Sequence, residues 1–392
     1  SVRPETLVMV AATAGTYQVK IKAAEKEAPT GRYRATLVAL RAATERDRAW
    51  AQGLLQNMEA IALREQGKFA DAAQAFERAQ KTLEPVLGAE HGDIGEIVHQ
   101  LAIMDYFKGD FRAGLQHAPR ALAIKEKAFG PDSLEVAIVA NLFAVVQQSV
   151  SEFEKAEALY RRAFAIKEKL LKPDHPEIAM TCINFGEMYS YKGDFKRAEP
   201  LLLRALAIWE KSTGFYNNYT AYVLNDLAYL HRYQGNYVEA ENYFLRAIAM
   251  LEKSIGTEHS QLTIPLQNLG AVYQAKGDYA KAEQVLQRAL AMREKLLGPE
   301  HTDVAGTLVL LSGVYRDRGD YAQAEPLLKR ALAIREKTLG PQHRNVAVVL
   351  TAARLPALAL DVLLLRDAHR GDVQRRHVLD ARGDVDLLGG SH

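Results

Sequence analysis

The chain has 392 residues, with 50 lysines and arginines against 48 aspartates and glutamates, so its formal net charge is +2. This balance disfavours a nucleic-acid-binding protein, because phosphate recognition needs concentrated positive charge. The single cysteine, Cys182, excludes an internal disulfide and any cysteine-rich zinc site. With no leader-like segment at the N-terminus, we expect a cytoplasmic location.

Residues 1–45 contain short runs rich in Val, Leu, Thr and Tyr, separated by turn-like stretches. The segment 15–21 alternates polar and apolar side chains, which is typical of a half-buried strand. Residues 33–46 also fit a helix, so an extra helix pair is the alternative. We predict that residues 1–45 are a short β-strand remnant of a preceding domain, because three strands are too few for an independent core.

A turn motif recurs every 42 residues from residue 67 onward. Five residues after its first position stands a small residue, and twelve residues after it stands an alanine, in all seven copies. Small residues seven apart share one helix face, where they let a second helix approach closely. The seven turns are Gly67-Lys68-Phe69, Gly109-Asp110-Phe111, Ser151-Glu152-Phe153, Gly193-Asp194-Phe195, Gly235-Asn236-Tyr237, Gly277-Asp278-Tyr279 and Gly319-Asp320-Tyr321.

Each turn lies between two helical patterns. In the sixth copy, apolar or small residues stand at 266, 269, 270 and 273, which predicts a helix A over about residues 260–275. A helix B is predicted over about residues 278–296, and Gly298-Pro299 ends it. Residues 46–340 are therefore predicted to form seven helix–turn–helix repeats. Basic endings of helix B, such as residues 125–127, are predicted to be solvated last turns.

The turn, the paired small residues and the segment from Ala289 to His301 resemble the tetratricopeptide repeat, in the 42-residue variety of kinesin light chains and large bacterial proteins. The resemblance implies an all-α, right-handed superhelical solenoid that serves as a protein–protein interaction scaffold. It also implies a concave groove on the helix A side that holds extended peptides or partner helices. We accordingly expect a protein or peptide partner and no enzymatic activity.

Two alternatives for the function stay open. Similar bacterial chains, with a β-sandwich before such repeats, continue into a caspase-like CHAT protease, so the chain is alternatively the sensing arm of a larger enzyme. The distinguishing feature, a downstream His and Cys pair, is absent from this sequence. A kinesin-light-chain-like cargo adaptor is a further possibility, but the heptad segment expected before its repeats is also absent.

Polar residues recur on helix A at positions that packing does not explain, and we predict that they line the groove. Asn and Gln side chains match the donor and acceptor of a peptide unit, and arginines can bind a carboxylate through two hydrogen bonds. An ordinary hydrated helix face is the alternative. The first row is Asn57, His99, Asn141, Ile183, Asn225, Gln267 and Val309; the second row is Arg64, Tyr106, Gln148, Ser190, Arg232, Gln274 and Arg316.

Tyrosines cluster in the fifth repeat, where Tyr222, Tyr229 and Tyr233 lie on helix A outside its apolar stripe. Exposed aromatic side chains with a polar tip are typical binding anchors, so we predict a binding hot spot there. The alternative is that these tyrosines fill a wide seam between repeats.

No residue pattern indicates a cofactor, a metal site or a catalytic group. Cys182 falls within a helix A pattern and is predicted to be buried, and no glycine-rich phosphate loop is present. The most apolar window, 346–365, contains Arg354, Pro356 and Asp361, so we expect no membrane partner. A small-molecule substrate is not expected either. Five periodic histidines are predicted to be loop residues or to start helices, and not to bind metal: His91, His175, His259, His301 and His343.

Some positions depart from the repeat. Asp105 and Gln147 stand where later repeats have tyrosine, and Ser151 replaces the turn glycine, so we expect repeats two and three to pack less regularly. Residues 341–392 begin an eighth repeat or cap, yet residues 338–392 contain no Lys, Glu or aromatic residue. Our hypothesis is that this tail reflects a shifted reading of GC-rich coding DNA. A natural capping helix is the alternative, because the last repeat of an array otherwise exposes an apolar face.

Overall fold

The computed structural model describes residues 44–211 and 217–354. Every regular element in these two ranges is helical, which confirms the all-α prediction. The strands predicted before residue 44 and the atypical tail after residue 354 lie outside the described residues. No helix in the described ranges is both long enough and apolar enough to cross a membrane.

The helices alternate between helix A and helix B of successive repeats. Helix A is α1 (Glu45–Glu65), α3 (Gly92–Lys108), α5 (Leu134–Ser149), α7 (Pro176–Lys192), α9 (Asn217–Tyr233), α11 (Thr263–Ala275) and α13 (Thr302–Arg318). Helix B is α2 (Phe69–Leu87), α4 (Phe111–Phe129), α6 (Phe153–Leu170), α8 (Phe195–Lys211), α10 (Tyr237–Ile255), α12 (Tyr279–Leu297) and α14 (Tyr321–Leu339). A short 3-10 helix, Ser260–Leu262, precedes α11, and α15 (Arg344–Arg354) follows α14.

The described helices belong to two compact units that divide between Glu152 and Phe153. The first unit holds α1 to α5 and the second holds α6 to α15. Within each unit, every helix packs against the next one in the chain. The A helices α7, α9, α11, α13 and α15 also contact one another in succession, and so do α3 and α5. Each unit is therefore a stack of helix pairs whose A helices share one side.

Each hairpin turns through one residue with a positive φ. At Gly193 φ is 75°, and the Asp194 N–H donates to the Tyr189 carbonyl at 2.9 Å. Glycine adopts this conformation without a steric penalty. Ser151 takes the same conformation, with φ at 65°, and the Glu152 N–H donates to the Gln147 carbonyl at 2.9 Å. The turn of repeat three therefore keeps the backbone conformation of the glycine turns, although its first residue is serine.

In repeat two, an aspartate stands at the position where later repeats have tyrosine, and its carboxylate contacts two side chains of the same repeat. Asp105 is buried, and its carboxylate lies 2.6 Å from His117 Nδ1 and 3.4 Å from Lys108 Nζ. These two groups supply the hydrogen bond and the charge that a buried carboxylate requires. With aspartate in place of tyrosine, repeat two therefore has polar contacts within the repeat at this position.

Small residues allow the two helices of a repeat to approach closely, as the sequence predicts. At Gly270 in α11, an added Cβ would lie 2.6 Å from Cγ of Leu286 in α12. Such a separation is far inside van der Waals contact, so only glycine fits. The alanine twelve residues after each turn is fully buried in every copy: Ala79, Ala121, Ala163, Ala205, Ala247, Ala289 and Ala331.

A recurring histidine starts helix A, which confirms its predicted role. His175 Nδ1 accepts a hydrogen bond from the Glu177 N–H at 3.1 Å, and His301 Nδ1 accepts one from the Asp303 N–H at 3.2 Å. The side chain thereby satisfies one of the backbone donors that every helix leaves unpaired at its first turn. The same contact occurs at His91, His259 and His343.

The basic residues in the last turns of helix B were predicted to be solvated. This prediction is wrong for the first basic residue of two such endings, Lys125 and Arg293, which are buried. Lys125 is buried and donates to Glu96 of α3 at 2.7 Å, whereas Lys127 is exposed. Arg293 is also buried and donates to the Asp303 carbonyl and to Thr307 Oγ1. These cations fill the space between helix B and an adjacent helix A, where their long stems pack and their charged ends are satisfied.

A recurring set of three side chains, the joint triplet, connects consecutive repeats of the second unit. A glutamate on helix B accepts a hydrogen bond from a tyrosine of the next helix A and pairs with a base three residues after that tyrosine. Because the three groups come from two helices, the triplet holds adjacent repeats in register. The triplets are Glu157 with Tyr189 and Lys192, Glu241 with Tyr273 and Lys276, and Glu283 with Tyr315 and Arg318.

Candidate functional site

The first polar row lies on neighbouring A helices in the second unit. Asn225 of α9 and Gln267 of α11 are 6% and 7% exposed. The side-chain oxygen of each is buried and has no hydrogen-bond partner among the described residues. A buried carbonyl oxygen without a partner costs about 1 to 3 kcal/mol. Packing therefore does not explain why amides stand here, and buried Ile183 and Val309 flank them in the same row.

The first unit repeats this feature on α3 and α5. His99 is buried with its Nδ1 atom unpartnered, and Asn141 has a buried, unpartnered side-chain oxygen. Burial lowers the pKa of His99 below its ordinary value; Glu96 opposes this shift, and the charges of Lys125 and Arg64 add to it. His99 is consequently a neutral imidazole near pH 7. Asn57 of α1 is half-buried.

Most members of the second polar row make contacts within the chain. Arg64 Nη1 donates to Gln100 Oε1 at 2.7 Å, and Arg316 Nη1 donates to the carbonyl of Ala352 at 3.3 Å. Both arginines are buried. Arg64 and Arg316 were predicted to be accessible to a carboxylate of a partner. That prediction is wrong, because in this structure both side chains are buried and bonded within the chain.

The remaining members of that row are more accessible. Gln274 Nε2 donates to Asp317 Oδ2 at 2.6 Å, while Tyr106, Gln148 and Ser190 are half-buried. Arg232 is also half-buried, and its guanidinium lies 5.1 Å and 5.2 Å from the ring centroids of Tyr229 and Tyr233.

The tyrosines of the fifth repeat differ from one another in burial. Tyr229 is only 7% exposed and donates its hydroxyl hydrogen to Tyr233 Oη at 2.7 Å, so its predicted exposure is wrong. Tyr222 is half-buried and donates to Glu187 of α7. Tyr233 is 38% exposed and stacks with Phe195 at 6.3 Å between centroids. Of the three, Tyr233 is the one most accessible to a partner.

A third polar row was not identified from the sequence. It lies one residue after the first row, and the same 42-residue spacing would have revealed it. Asn268 has a buried, unpartnered amide nitrogen, Asp226 is buried, and Asn184 is half-buried. In the second unit these three residues widen the polar strip along its A helices; in the first unit the equivalent position is Gln100, which receives the hydrogen bond from Arg64.

The described ranges hold no group of three His, Cys, Asp or Glu side chains arranged to bind a metal ion. Cys182 is fully buried, as predicted, and burial raises the pKa of its thiol to about 12. A thiol with so high a pKa carries no thiolate near neutral pH and is therefore a poor nucleophile.

The sequence model of the family described as "Tetratricopeptide repeat" matches residues 93–169, 136–211, 219–295, 260–337 and 303–353. Together these matches cover more than half of the chain. No protein with a curated description matches it.

Several solved structures resemble the chain in fold. The apo form of RapI is 15% identical, with 86% of this chain and 99% of that chain covered and a TM-score of 0.58. Aspartyl phosphate phosphatase F from Bacillus subtilis is 14% identical, covering 90% and 97%, with a TM-score of 0.50. A Podosopora anserina structure described as "kinesin light chain nearly identical TPR-like repeats" is 23% identical, covering 53% and 98%, with a TM-score of 0.47. At these identities the likeness concerns the fold.

Proposed function

This chain belongs to the tetratricopeptide repeat family, and we propose that it is a protein–protein interaction scaffold that binds an extended peptide segment along its A helices. The fold is typical of such scaffolds. The observation that carries the proposal is the pair of buried, unpartnered amide oxygens of Asn225 and Gln267 on adjacent A helices. The free energy of an unpartnered buried carbonyl is recovered when a ligand supplies the missing donor.

An extended peptide is the ligand that suits this row. Its backbone offers donors and acceptors at regular intervals, and an amide side chain can pair with either. The last torsion of Asn and Gln is broad, so a modest rotation turns either the oxygen or the nitrogen of the amide toward a bound segment. Recognition through the backbone would tolerate many side chains in the partner.

Arg232 and Tyr233, about two turns further along α9 than Asn225, are the proposed anchor of the bound segment. The guanidinium lies over the Tyr233 ring, so its orientation is largely set before a partner binds. Tyr233 is partly exposed and its ring stacks with that of Phe195. Aromatic and arginine side chains held in place contribute strongly at interfaces, since little conformational entropy is lost on binding.

The test uses the full chain and a phage-displayed library of random peptides. Selected peptides should share little side-chain sequence, and methylating their backbone nitrogens should abolish binding. The double variant Asn225→Ala and Gln267→Ala should weaken their binding about tenfold, the equivalent of one to two lost hydrogen bonds. Its stability should not fall, because the two oxygens make no hydrogen bond in the free chain.

The matched control is Asn242→Ala with Gln284→Ala, which removes the same two residue types from exposed positions on α10 and α12. This variant should bind the selected peptides as the unaltered chain does. Equal loss in both double variants, or no loss in the first, would contradict the proposed groove.

A further inference from the structure

One position of helix A carries a large side chain in the first six repeats and none in the seventh. Gly306 of α13 stands at this position, three residues before Val309 of the first polar row. A Cβ atom added at Gly306 would have no described atom within 4 Å, so open space lies beside the helix there. The equivalent residues of the other A helices are Leu54, Glu96, Ile138, Met180, Tyr222 and Ile264.

Apolar side chains of the two adjacent helices flank this space. Ile264 of α11 stands one repeat before Gly306 and Val348 of α15 one repeat after it, and both are half-buried. α13 contacts α11 and α15 directly. Neither apolar side chain comes within 4 Å of the added Cβ. The missing side chain therefore leaves an opening between Ile264 and Val348, which we call the Gly306 gap.

Packing within the chain does not explain the glycine at this position. At Gly270 of α11, an added Cβ would lie 2.6 Å from Cγ of Leu286, so a neighbouring helix requires glycine there. Nothing in the described ranges crowds Gly306 in this way. Glycine destabilises a helix interior relative to alanine, and one reason to keep it is the close approach of a ligand to the backbone.

Two adjacent residues of α11 lack the partners that a peptide backbone supplies. The side-chain oxygen of Gln267 has no donor among the described residues, and the amide nitrogen of Asn268 has no acceptor. The two residues are only 7% and 8% exposed. One residue of an extended segment carries both missing groups, an N–H and a C=O. α11 therefore offers a site for the backbone of a segment that continues to α13.

The spacing of the helices sets the register of such a segment. Packed helices lie about 8 to 10 Å apart, and an extended chain advances about 3.3 Å per residue. A segment that crosses from α11 to α13 therefore advances by about three residues.

We propose that the Gly306 gap binds one large apolar side chain of the partner segment, about three residues from the residue whose backbone pairs with Gln267 and Asn268. This inference rests on the proposed function and adds specificity to it. Recognition of the backbone tolerates many sequences, whereas the gap selects the residue type at one position. A charged or amide side chain is disfavoured there, because the apolar walls of the gap offer it no hydrogen-bond partner.

The test uses the backbone-dependent peptides selected on the full chain. These peptides should share one large apolar residue, such as Leu, Ile, Met or Phe, and otherwise differ in sequence. Gly306→Leu fills the gap and should weaken their binding at least about tenfold, which corresponds to the loss of one buried apolar side chain. Gly306→Ala fills less of the gap and should weaken binding about threefold.

Stability separates this role from a structural one. Gly306→Ala should raise the midpoint of thermal unfolding and Gly306→Leu should not lower it, since both residues favour a helix over glycine and the Cβ meets no described atom. Weaker binding by a chain that is at least as stable indicates a filled binding site. The matched control is Ala291→Leu, at an exposed position of α12, which should leave peptide binding unchanged.

The peptide provides the second half of the test. Replacing its shared apolar residue with alanine should weaken binding to the unaltered chain about tenfold. Gly306→Leu should weaken the binding of that alanine peptide little further, because the two changes remove the same contact. Fully additive effects would show that the apolar residue binds elsewhere, and would overturn the proposal.

Failure of this inference differs from failure of the proposed function. If Asn225→Ala with Gln267→Ala weakens binding while Gly306→Leu does not, the groove stands and the proposed role of the gap is wrong. If Gly306→Ala lowers stability, another part of the chain fills the gap, and the role is wrong as well. If no backbone-dependent peptide is selected, the proposed function fails and this inference fails with it.

Discussion

Tyr315 of α13 donates its hydroxyl hydrogen to Glu283 Oε1 of α12 at 2.7 Å, across the junction between two repeats. Arg318 donates to the other carboxylate oxygen at 2.7 Å. Because the tyrosine ring is buried and the carboxylate mostly so, the bond is formed where water competes weakly. The joint therefore fixes the register of the two repeats and also stabilises the fold.

Tyr315→Phe should lower the free energy of unfolding by about 1 to 2 kcal/mol, because a hydrogen bond to a charged acceptor is lost while the ring packing is kept. Guanidinium unfolding followed by circular dichroism measures the change. Tyr321→Phe is the control, since that exposed tyrosine lies on no covered joint, and its unfolding curve should be unaltered. Equal effects of the two substitutions would contradict a role for the joint.

Ser151→Gly should raise the free energy of unfolding by about 1 kcal/mol, because a non-glycine residue pays roughly that much in the left-handed region. Ser151 has φ at 65° and is exposed, so its side chain contributes little packing. The reverse change, Gly193→Ser, should lower stability by a similar amount at the equivalent turn. Thermal unfolding of both variants checks the pair, and a destabilised Ser151→Gly would contradict the prediction.

Two helical glycines should respond to alanine in opposite directions. At Gly306 in α13, an added Cβ meets no atom within 4 Å, so Gly306→Ala should stabilise the chain by about 0.5 to 1 kcal/mol through helix propensity. At Gly270, the Cβ would lie 2.6 Å from Leu286, so Gly270→Ala should destabilise it by about 1 to 3 kcal/mol. Chemical denaturation of each variant measures both changes, and effects of the same sign would refute the packing argument.

Stability should fall as the pH is lowered from 7 toward 5, and His99 should contribute to the loss. Burial lowers the pKa of His99, so the unfolded chain takes up a proton near the ordinary value while the folded chain resists it. The penalty is absent above the unfolded pKa and grows as pH falls toward the folded one. Arg64 on α1 and Lys125 on α4 face the imidazole and disfavour its protonation, against Glu96 on its own helix.

The measurement is urea unfolding at pH 7 and at pH 5 for the unaltered chain and for His99→Gln, which keeps a polar group of similar size and cannot titrate. The difference in stability between the two pH values should be smaller in the variant. An unchanged pH dependence would show that His99 is not protonated on unfolding in this range.

The fold was predictable because its signals are local and repeated. Glycine at six of the seven turns, alanine twelve residues after each turn start and the spacing of apolar residues each act within one helix pair, and nearly every copy carries the same information. The histidine immediately before helix A was predictable for the same reason, since its partner is a backbone group two residues away.

The candidate site was predictable only in part. The 42-residue spacing places Asn225 and Gln267 at equivalent positions, yet it does not show that their oxygens lack partners. The third row, with Asn268, has the same period and was still missed, because its polar character is interrupted by leucines in other repeats.

What the sequence determined by itself is the succession of helix pairs, since helix start, turn and close packing depend on residues near one another in the chain. What the tertiary structure decided is the environment of each polar side chain. Tyr229 is buried and Tyr233 exposed although four residues separate them, and Lys125 is buried because Glu96 of another helix reaches it. Burial and pairing depend on the helix that packs alongside, and a periodic pattern in one helix does not specify which partner that neighbour presents.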